Sequence, residues 1–355
     1  MLQCIWCVLV QYVTERYSKR QETLVTDQKP VAHCGSRAAA VCKFGCAQAQ
    51  SPLSVIDRLG HRQKHSTREV KHHRQCRRRR RPPRRRRSTS IMRSLRAVTF
   101  EVTSTLVCMS VPLGQVYGDA LRHFKLPGVP DDGEMKAAFK RAYATTGKEL
   151  PNFGAAEGMP ERVWWDKMIR STLCEAGCEA ALDDDTFPLV FQRIYSSFGS
   201  ADVWAECPDG VAAMRHAKDA GLVVGAMSNV YPRYIDQNLP LLGLHRDLDF
   251  AATSHEFGVK KPSPGLFDAA RRRATHASRL LYGRELPDIE PAQMLHVGDD
   301  LQNDYLAARS CGMHALLYDP KGKAEPSEEL PYGAIVTSLA EVPAKIDALL
   351  GADGA

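Results

Sequence analysis

Residues 294–308 read MLHVGDDLQNDYLAA, and this stretch decides the fold. An apolar run of strand length ends at Gly298 and two aspartates, Asp299 and Asp300, follow it. A helical pattern that contains a third aspartate, Asp304, begins directly afterwards. A buried strand that leads into a helix is typical of a parallel sheet, in which ligands bind beyond the carboxyl ends of the strands. The stretch therefore predicts an α/β fold with acidic residues at its ligand-binding edge.

The same alternation of strands and helices extends from Leu95 to the end of the chain. Further strands are predicted at LRAVTF, LVVGAMS, FAATS and HALLYD, with helical patterns between them. Strands separated by helices predict a Rossmann-like parallel sheet core covered on both faces. The four helical segments after the first strand are too long for one crossover and predict an inserted helical cap domain. The predicted domains are a core of residues 92–112 and 204–355, a cap of residues 113–203 and an N-terminal extension of residues 1–91.

The N-terminal extension differs from the rest of the chain in its charge. Residues 1–91 carry 21 Lys and Arg against 5 Asp and Glu, whereas residues 92–355 have a net charge of −9. Blocks of like charge oppose packing, so residues 1–91 are predicted to be disordered. The arginine run at residues 77–87 has three open interpretations: a nuclear localisation or nucleic-acid contact, a transit-like extension, or no role. A protein that starts at Met92 would lack the arginine run, and none of the three interpretations would then apply.

Several features bear on the compartment. The apolar opening of the chain is about a dozen residues long, well below the roughly 20 that a membrane span needs, so no membrane span is predicted. The five cysteines after residue 91 show no disulfide framework and indicate reduced thiols. We therefore expect an intracellular protein of the cytoplasm or nucleus, and organelle targeting stays open.

Reactive side chains follow three of the predicted strands. The first strand ends at Glu101, the next at Ser228 and Asn229, and a later one at Asp299. Lys261 precedes a proline that opens a helix. Carboxylates, a hydroxyl and a lysine at one sheet edge suit a phosphate group held with Mg²⁺, which takes hard oxygen ligands.

The order of these motifs resembles the haloacid dehalogenase superfamily. FEVTSTL (100–106), MSN (227–229), KKPSPGLF (260–267) and HVGDDLQNDYLAA (296–308) match the four motifs of that family. The resemblance implies a phosphatase-type hydrolase that uses Mg²⁺ and acts on a small phosphorylated metabolite. It covers about three-quarters of the chain and none of the basic extension.

The resemblance also implies a role for each residue that matches a motif. Glu101 stands in the position of the nucleophile, where the family has aspartate, and Thr103 stands in the position of the acid/base. Ser228, Asn229 and Lys261 match the phosphate-binding groups. The implied metal site comprises Glu101, Asp299 and Asp304, with Asp304 orienting the waters of the metal.

The two changes in the first motif predict weak catalysis. In-line attack needs the carboxylate oxygen within about 3–3.5 Å of phosphorus. Displacing that oxygen by about 1 Å lowers the reaction rate about 100-fold. The extra methylene of Glu101 introduces an error of that size. Without an acid at Thr103, protonation of the leaving group is lost, which is typically worth about 10²–10⁴ in rate. A slow hydrolase is therefore expected, and the alternative is a pseudoenzyme that binds phosphate and metal.

Overall fold

The computed structural model describes residues 94–351, and this part of the chain contains eight strands. They are β1 (Ala97–Phe100), β2 (Val107–Met109), β3 (Trp204–Glu206), β4 (Val223–Ser228), β5 (Phe250–Thr253), β6 (Met294–Gly298), β7 (His314–Tyr318) and β8 (Ile335–Val336). Six of them form one sheet in the order β5-β4-β1-β6-β7-β8, and all its pairings are parallel. The predicted α/β fold with a parallel sheet core is confirmed.

Helices cover the sheet and build the cap. The α-helices of the described residues are α1 (Leu113–His123), α2 (Asp132–Glu149), α3 (Pro151–Gly154), α4 (Glu161–Glu175), α5 (Phe187–Ser197), α6 (Gly210–Asp219), α7 (Leu239–Leu241), α8 (Ser254–Phe257), α9 (Pro264–Tyr282), α10 (Ala307–Ser310) and α11 (Val342–Gly351). Met214 of α6 and Ile346 of α11 pack in one hydrophobic cluster with Val98 of β1. Phe267 of α9 packs in a second cluster with Ala97. Adjacent β1 residues thus face opposite layers, as the alternation of strand side chains requires.

The cap is inserted between β2 and β3. These two short strands pair antiparallel, so the chain leaves the core and returns to it at one place. This pair is not evident from the sequence, because each strand is only three residues long. The cap helices have a hydrophobic cluster of their own, which includes Tyr117, Ile169 and Phe191. The predicted helical cap after the first strand is therefore present, and β2 lies between β1 and the cap in the sequence.

The position of β1 in the sheet creates the ligand-binding edge. β1 pairs with β4 on one side and with β6 on the other, so the chain connections diverge from it in opposite directions. At such a switch point the loops after neighbouring strands separate and leave a crevice beyond their carboxyl ends. The residues that follow β1, β4 and β6 meet at this crevice.

The helix predicted after β6 begins in an unusual way. Residues Leu301–Leu306 form a wide π-helical turn before α10 continues as an ordinary helix. Such turns are frequent at functional sites. Here the turn carries Asp304, whose carboxyl group lies so close to Gly298 that any side chain at position 298 would collide with it. This contact explains the glycine of the HVGDD motif.

Two predictions concern the outer parts of the chain. Residues 1–91, with the arginine run and its three interpretations, lie outside the described residues. Between residues 94 and 351, no helix is long and apolar enough to cross a membrane.

Candidate functional site

Glu101, Ser228 and Asp299 lie where three neighbouring strands end. Glu101 follows β1, Ser228 is the last residue of β4, and Asp299 follows β6. Because these strands are adjacent and parallel, their carboxyl ends lie at the same edge of the sheet. The structure therefore brings together the residues that the sequence places at separate strand ends.

The buried carboxylate of Glu101 accepts hydrogen bonds from a set of converging donors. Its Oε1 atom accepts from the backbone N–H groups of Val102 (2.9 Å) and Thr103 (3.2 Å), from Thr103 Oγ1 (3.3 Å) and from the Ser228 hydroxyl. Its Oε2 atom accepts from the ammonium group of Lys261. We call the Val102 and Thr103 N–H groups, Ser228 Oγ and Lys261 Nζ the oxyanion cradle. Such donors also bind phosphate oxygens, so Glu101 occupies a site that suits phosphate.

Lys261 connects the two acidic sides of the site. Its side chain is 1% exposed, and its ammonium group donates to Glu101, to Asp304 and to the carbonyl oxygen of Met227 (3.2 Å). Burial alone would lower the pKa of Lys261, but the two carboxylates raise it above its usual value. Asn229 fixes its backbone, since Lys261 N–H donates to Asn229 Oδ1 (2.8 Å) and Asn229 Nδ2 donates to the Lys261 carbonyl (3.0 Å). Asn229 therefore positions Lys261, in addition to its predicted place beside the phosphate.

Asp304 is held by groups on both of its carboxylate oxygens. Oδ1 contacts Lys261 and lies 3.2 Å from His296 Nε2, while Oδ2 accepts from the Asp300 N–H at 3.0 Å. Burial favours the neutral acid, but the His296 hydrogen bond and the Lys261 charge outweigh it and hold the pKa of Asp304 well below its usual range. Burial also lowers the pKa of His296, whose Nδ1 lies 3.0 Å from Thr99 Oγ1. The ionised form of Asp304 is therefore the stable one.

Sequence reasoning does not single out His296 or Thr99. Both are fully buried on strands of the sheet. His296 contacts Asp304, and Thr99 contacts the other ring nitrogen of His296. The feature of the sequence that could reveal these two residues is a polar residue inside an otherwise apolar strand, as in MLHVG and AVTF. Since a buried polar group needs a hydrogen-bond partner, such a residue indicates a partner that is distant in sequence.

Asp299 is exposed but surrounded by negative charge. Its Oδ1 accepts from Thr105 Oγ1 at 3.2 Å, a second contact that the sequence does not reveal. Partial desolvation by the surrounding protein, followed by the charges of Asp304 and Glu101, raises the pKa of Asp299 to about 7. A cation bound beside Asp299 would offset the repulsion that raises this pKa.

These residues fit Mg²⁺ in the type of ligand they offer. Asp299 supplies hard oxygen donors at the open side of the site, whereas both oxygens of Asp304 are already engaged. Within the described residues 94–351, no three His, Cys, Asp or Glu side chains converge on a common point. The metal site of Glu101, Asp299 and Asp304 that the sequence implies stays a prediction. Mg²⁺ commonly binds one or two carboxylates and completes its shell with water and phosphate, which this arrangement allows.

A cavity of about 300 Å³ adjoins Lys261 on the side of the cap. The cap contributes Tyr143, Gly147, Asn152, Phe153 and Trp164, and the core contributes Asn229, Ser254, Lys260, Lys261, Pro262 and Asn303. Its volume lies at the lower end of the range for small-molecule sites. A small ligand bound at Lys261 can extend from the cradle into this cavity.

Comparisons with known proteins agree with the four motifs. The family model described as haloacid dehalogenase-like hydrolase matches residues 95–312. Haloacid dehalogenase-like hydrolase domain-containing protein 3 of Xenopus laevis is 32% identical over 257 residues, which cover 72% of this chain and 98% of that protein. The Homo sapiens protein of that name is 28% identical and covers 72% and 96%. The structure of the putative HAD-hydrolase YfnB from Bacillus subtilis, bound to magnesium, is similar in fold, with a TM-score of 0.50 and 16% identity over 71% of this chain and 99% of that one.

Proposed function

Because the chain belongs to the haloacid dehalogenase-like hydrolase family, we propose that it is a slow, Mg²⁺-dependent hydrolase of phosphatase type that acts on a small phosphorylated metabolite. One observation carries this proposal. Glu101, Ser228, Lys261 and Asp304 form a continuous hydrogen-bonded cluster at the ligand-binding edge. The combination of this lysine with Asp299, which offers hard oxygen ligands to a metal, favours phosphate chemistry over the removal of a halide.

The proposed reaction assigns a role to each residue of the cluster. Ser228, Lys261 and one amide hydrogen of Asn229 hold the phosphate oxygens of the substrate. A Glu101 oxygen attacks phosphorus while the bond to the leaving group breaks, and water then hydrolyses the phosphorylated Glu101. Asp299 would be a direct ligand of Mg²⁺, which would neutralise phosphate charge when bound, and Asp304 would orient water beside the ion. Thr103 carries no acid, so the leaving group takes its proton from solvent.

The arrangement of Glu101 favours slow turnover and also supports a second candidate function. Its carboxylate already takes up the donors that a phosphate needs, and Thr103 replaces the acid/base. Both features suit a pseudoenzyme that binds phosphate and metal without efficient turnover. The two candidates differ in one measurement, which is Mg²⁺-dependent phosphate release by the purified full-length protein. Turnover that is absent in Glu101→Gln would establish the hydrolase, whereas equal background release by both proteins would favour the pseudoenzyme.

Replacing Asp299 with asparagine is expected to weaken Mg²⁺ binding by at least about 10-fold, because the change removes the charged hard ligand. Isothermal titration with MgCl₂ measures this directly and does not depend on turnover. The matched control is Asp300→Asn, since the neighbouring carboxylate caps the following helix through Gln302 and Asn303. Equal Mg²⁺ affinity in wild type and Asp299→Asn would place the metal elsewhere.

Replacing Glu101 with alanine is expected to increase the affinity for inorganic phosphate by about 10-fold or more in the absence of Mg²⁺. The change frees the oxyanion cradle, and one charge-assisted hydrogen bond contributes about 1.5–3 kcal/mol. Titration calorimetry in EDTA gives the comparison. Glu101→Gln removes the same charge but keeps the volume, so its affinity for phosphate should increase less than that of Glu101→Ala. Identical gains in the two variants would mean that charge alone, and not occupancy of the cradle, limits phosphate binding.

A further inference from the structure

Thr99 and His296 form a buried hydrogen-bonded pair that the proposed reaction does not use. The two residues lie opposite each other on the adjacent strands β1 and β6. Nδ1 of His296 lies 3.0 Å from Thr99 Oγ1, and Nε2 lies 3.2 Å from Oδ1 of Asp304. A hydroxyl, an imidazole and a carboxylate in this order also make up nucleophilic catalytic sites. Here Thr99 and His296 are fully buried, so the hydroxyl cannot reach a substrate and the pair does not supply a nucleophile.

The contacts of His296 determine which of its ring nitrogens carries hydrogen. The carboxylate of Asp304 only accepts hydrogen bonds, so the facing Nε2 carries the hydrogen. A second hydrogen on Nδ1 would put a positive charge on a buried ring beside the ammonium group of Lys261, which contacts the same carboxylate oxygen. The ring is therefore neutral, and its Nδ1 accepts a hydrogen bond from the Thr99 hydroxyl. Thr99 thus favours the tautomer that donates to Asp304.

His296 is the more rigid of the two side chains that contact Oδ1 of Asp304. The other is Lys261, whose ammonium group ends a flexible four-carbon chain and can follow a carboxylate that turns. The ring of His296 is attached to a strand by a short side chain and packs edge-on against Phe267, with ring centres 5.9 Å apart. The direction of its N–H group therefore sets the orientation of the Asp304 carboxylate.

We propose that Thr99 and His296 are positioning residues that hold Asp304 in one orientation, from which it would orient water beside Mg²⁺. This inference rests on the proposed function, because that function places Mg²⁺ near Asp304. In metal sites the hydrogen-bond partners of the ligands fix the ligand geometry, and replacing such a partner typically weakens metal binding by about 10- to 100-fold. A change at Thr99 or His296 is therefore expected to alter Mg²⁺ affinity although neither residue faces the ion.

Two substitutions of Thr99 separate the effect of its hydroxyl from that of its volume. Thr99→Val keeps the shape and removes the hydroxyl, whereas Thr99→Ser keeps the hydroxyl and removes a methyl group. Thr99→Val is expected to weaken Mg²⁺ binding by about 3- to 10-fold, the range for one neutral hydrogen bond, and Thr99→Ser should stay within about 2-fold of wild type. Isothermal titration of the full-length protein with MgCl₂ measures both. Equal affinity of the two variants, or weaker binding by Thr99→Ser, would overturn the proposal.

Substitutions of His296 test the N–H group in the same titration. His296→Leu is expected to weaken Mg²⁺ binding by about 10- to 100-fold. A glutamine amide can donate from near the place of Nε2, so His296→Gln should bind Mg²⁺ at least about 3-fold more tightly than His296→Leu. Equal affinity of these two variants would show that the ring only fills space. The matched control is Thr253→Val, which should bind Mg²⁺ as wild type does, since the buried Thr253 hydroxyl has no partner within residues 94–351.

A second measurement does not require the metal. Nitrogen-15 NMR of the histidine-labelled, full-length protein shows which ring nitrogen carries hydrogen, and the signals of His296 are those missing from His296→Gln. We expect hydrogen on Nε2, a shift of the Nδ1 signal in Thr99→Val but not in Thr99→Ser, and a shift of the Nε2 signal in Asp304→Asn. If wild type binds no Mg²⁺, the phosphatase proposal fails and these spectra alone decide whether the pair holds Asp304. Hydrogen on Nδ1, or an Nε2 signal that is unchanged in Asp304→Asn, would refute it.

Discussion

Shortening Glu101 to aspartate is expected to increase the hydrolysis of an aryl phosphate by about 10- to 100-fold, the size of the penalty for a misplacement near 1 Å. In the structure the longer side chain reaches Ser228 and Lys261, and its Oε1 also folds back onto the N–H of Val102. Aspartate would withdraw the carboxylate from the cradle and leave those donors to the phosphate. The rate constant for p-nitrophenyl phosphate with Mg²⁺ measures the effect.

The choice of substrate separates the two changes in the first motif. An aryl leaving group needs little protonation, so the missing acid at Thr103 does not mask the gain from Glu101→Asp. Adding Thr103→Asp should then accelerate alkyl phosphates more than aryl phosphates. Glu101→Gln serves as the control, because it keeps the size and removes the nucleophile. If the rate of hydrolysis is not higher in Glu101→Asp and not lower in Glu101→Gln than in wild type, Glu101 does not act as a nucleophile. The pseudoenzyme then becomes the better description.

The sequence predicts most of the sheet because each strand carries its own local pattern. AVTF, VVGAMS and MLHVG are apolar runs of strand length, and each of them ends in a reactive residue or is followed by one. Since parallel strands end at a common edge, their order alone predicts that Glu101, Ser228 and Asp299 lie together. Local pattern and topology were sufficient for this part of the site.

The contacts that orient these residues could not be predicted in the same way. Asn229 and Lys261 are 32 residues apart, and Asn152 reaches Ser254 across 102 residues. Thr105 and Asp299 are separated by 194 residues. Each of these is a pairing between two ordinary polar residues, and neither partner has a local pattern that identifies the other. The antiparallel β2–β3 pair could not be predicted for the same reason, since the whole cap separates its two short strands in the sequence.

Replacing Lys261 with methionine is expected to lower the free energy of unfolding by about 3–5 kcal/mol, the range for removing one partner of a buried ion pair. Lys261 is 1% exposed and its ammonium group contacts two carboxylates that are themselves buried, Glu101 and Asp304. Methionine fills a similar volume, so the loss comes from the uncompensated charges and not from a cavity. Urea denaturation of the full-length protein, without Mg²⁺, provides the measurement.

The pH dependence of this loss identifies its cause. In wild type the pKa of Asp304 lies below its usual range, so the stability it contributes is present above the unfolded pKa and is constant between pH 5 and pH 8. Without Lys261 the pKa of Asp304 should rise, and the burial of its carboxylate then costs more as pH increases. The difference between the two proteins should therefore be smaller at pH 5 than at pH 8.

The neighbouring lysine gives a matched control for the same substitution. Lys260 is exposed and makes no ion pair with any of residues 94–351, so Lys260→Met should change stability by no more than about 0.5 kcal/mol. Adding Glu101→Gln to Lys261→Met removes one of the two uncompensated charges and should restore part of the lost stability. Equal, small effects of the two lysine substitutions would show that Lys261 is not paired in solution. The cluster would then have to be held by Asn229 and the hydrogen bonds of Asp304 alone, and the oxyanion cradle at Glu101 would not be preformed.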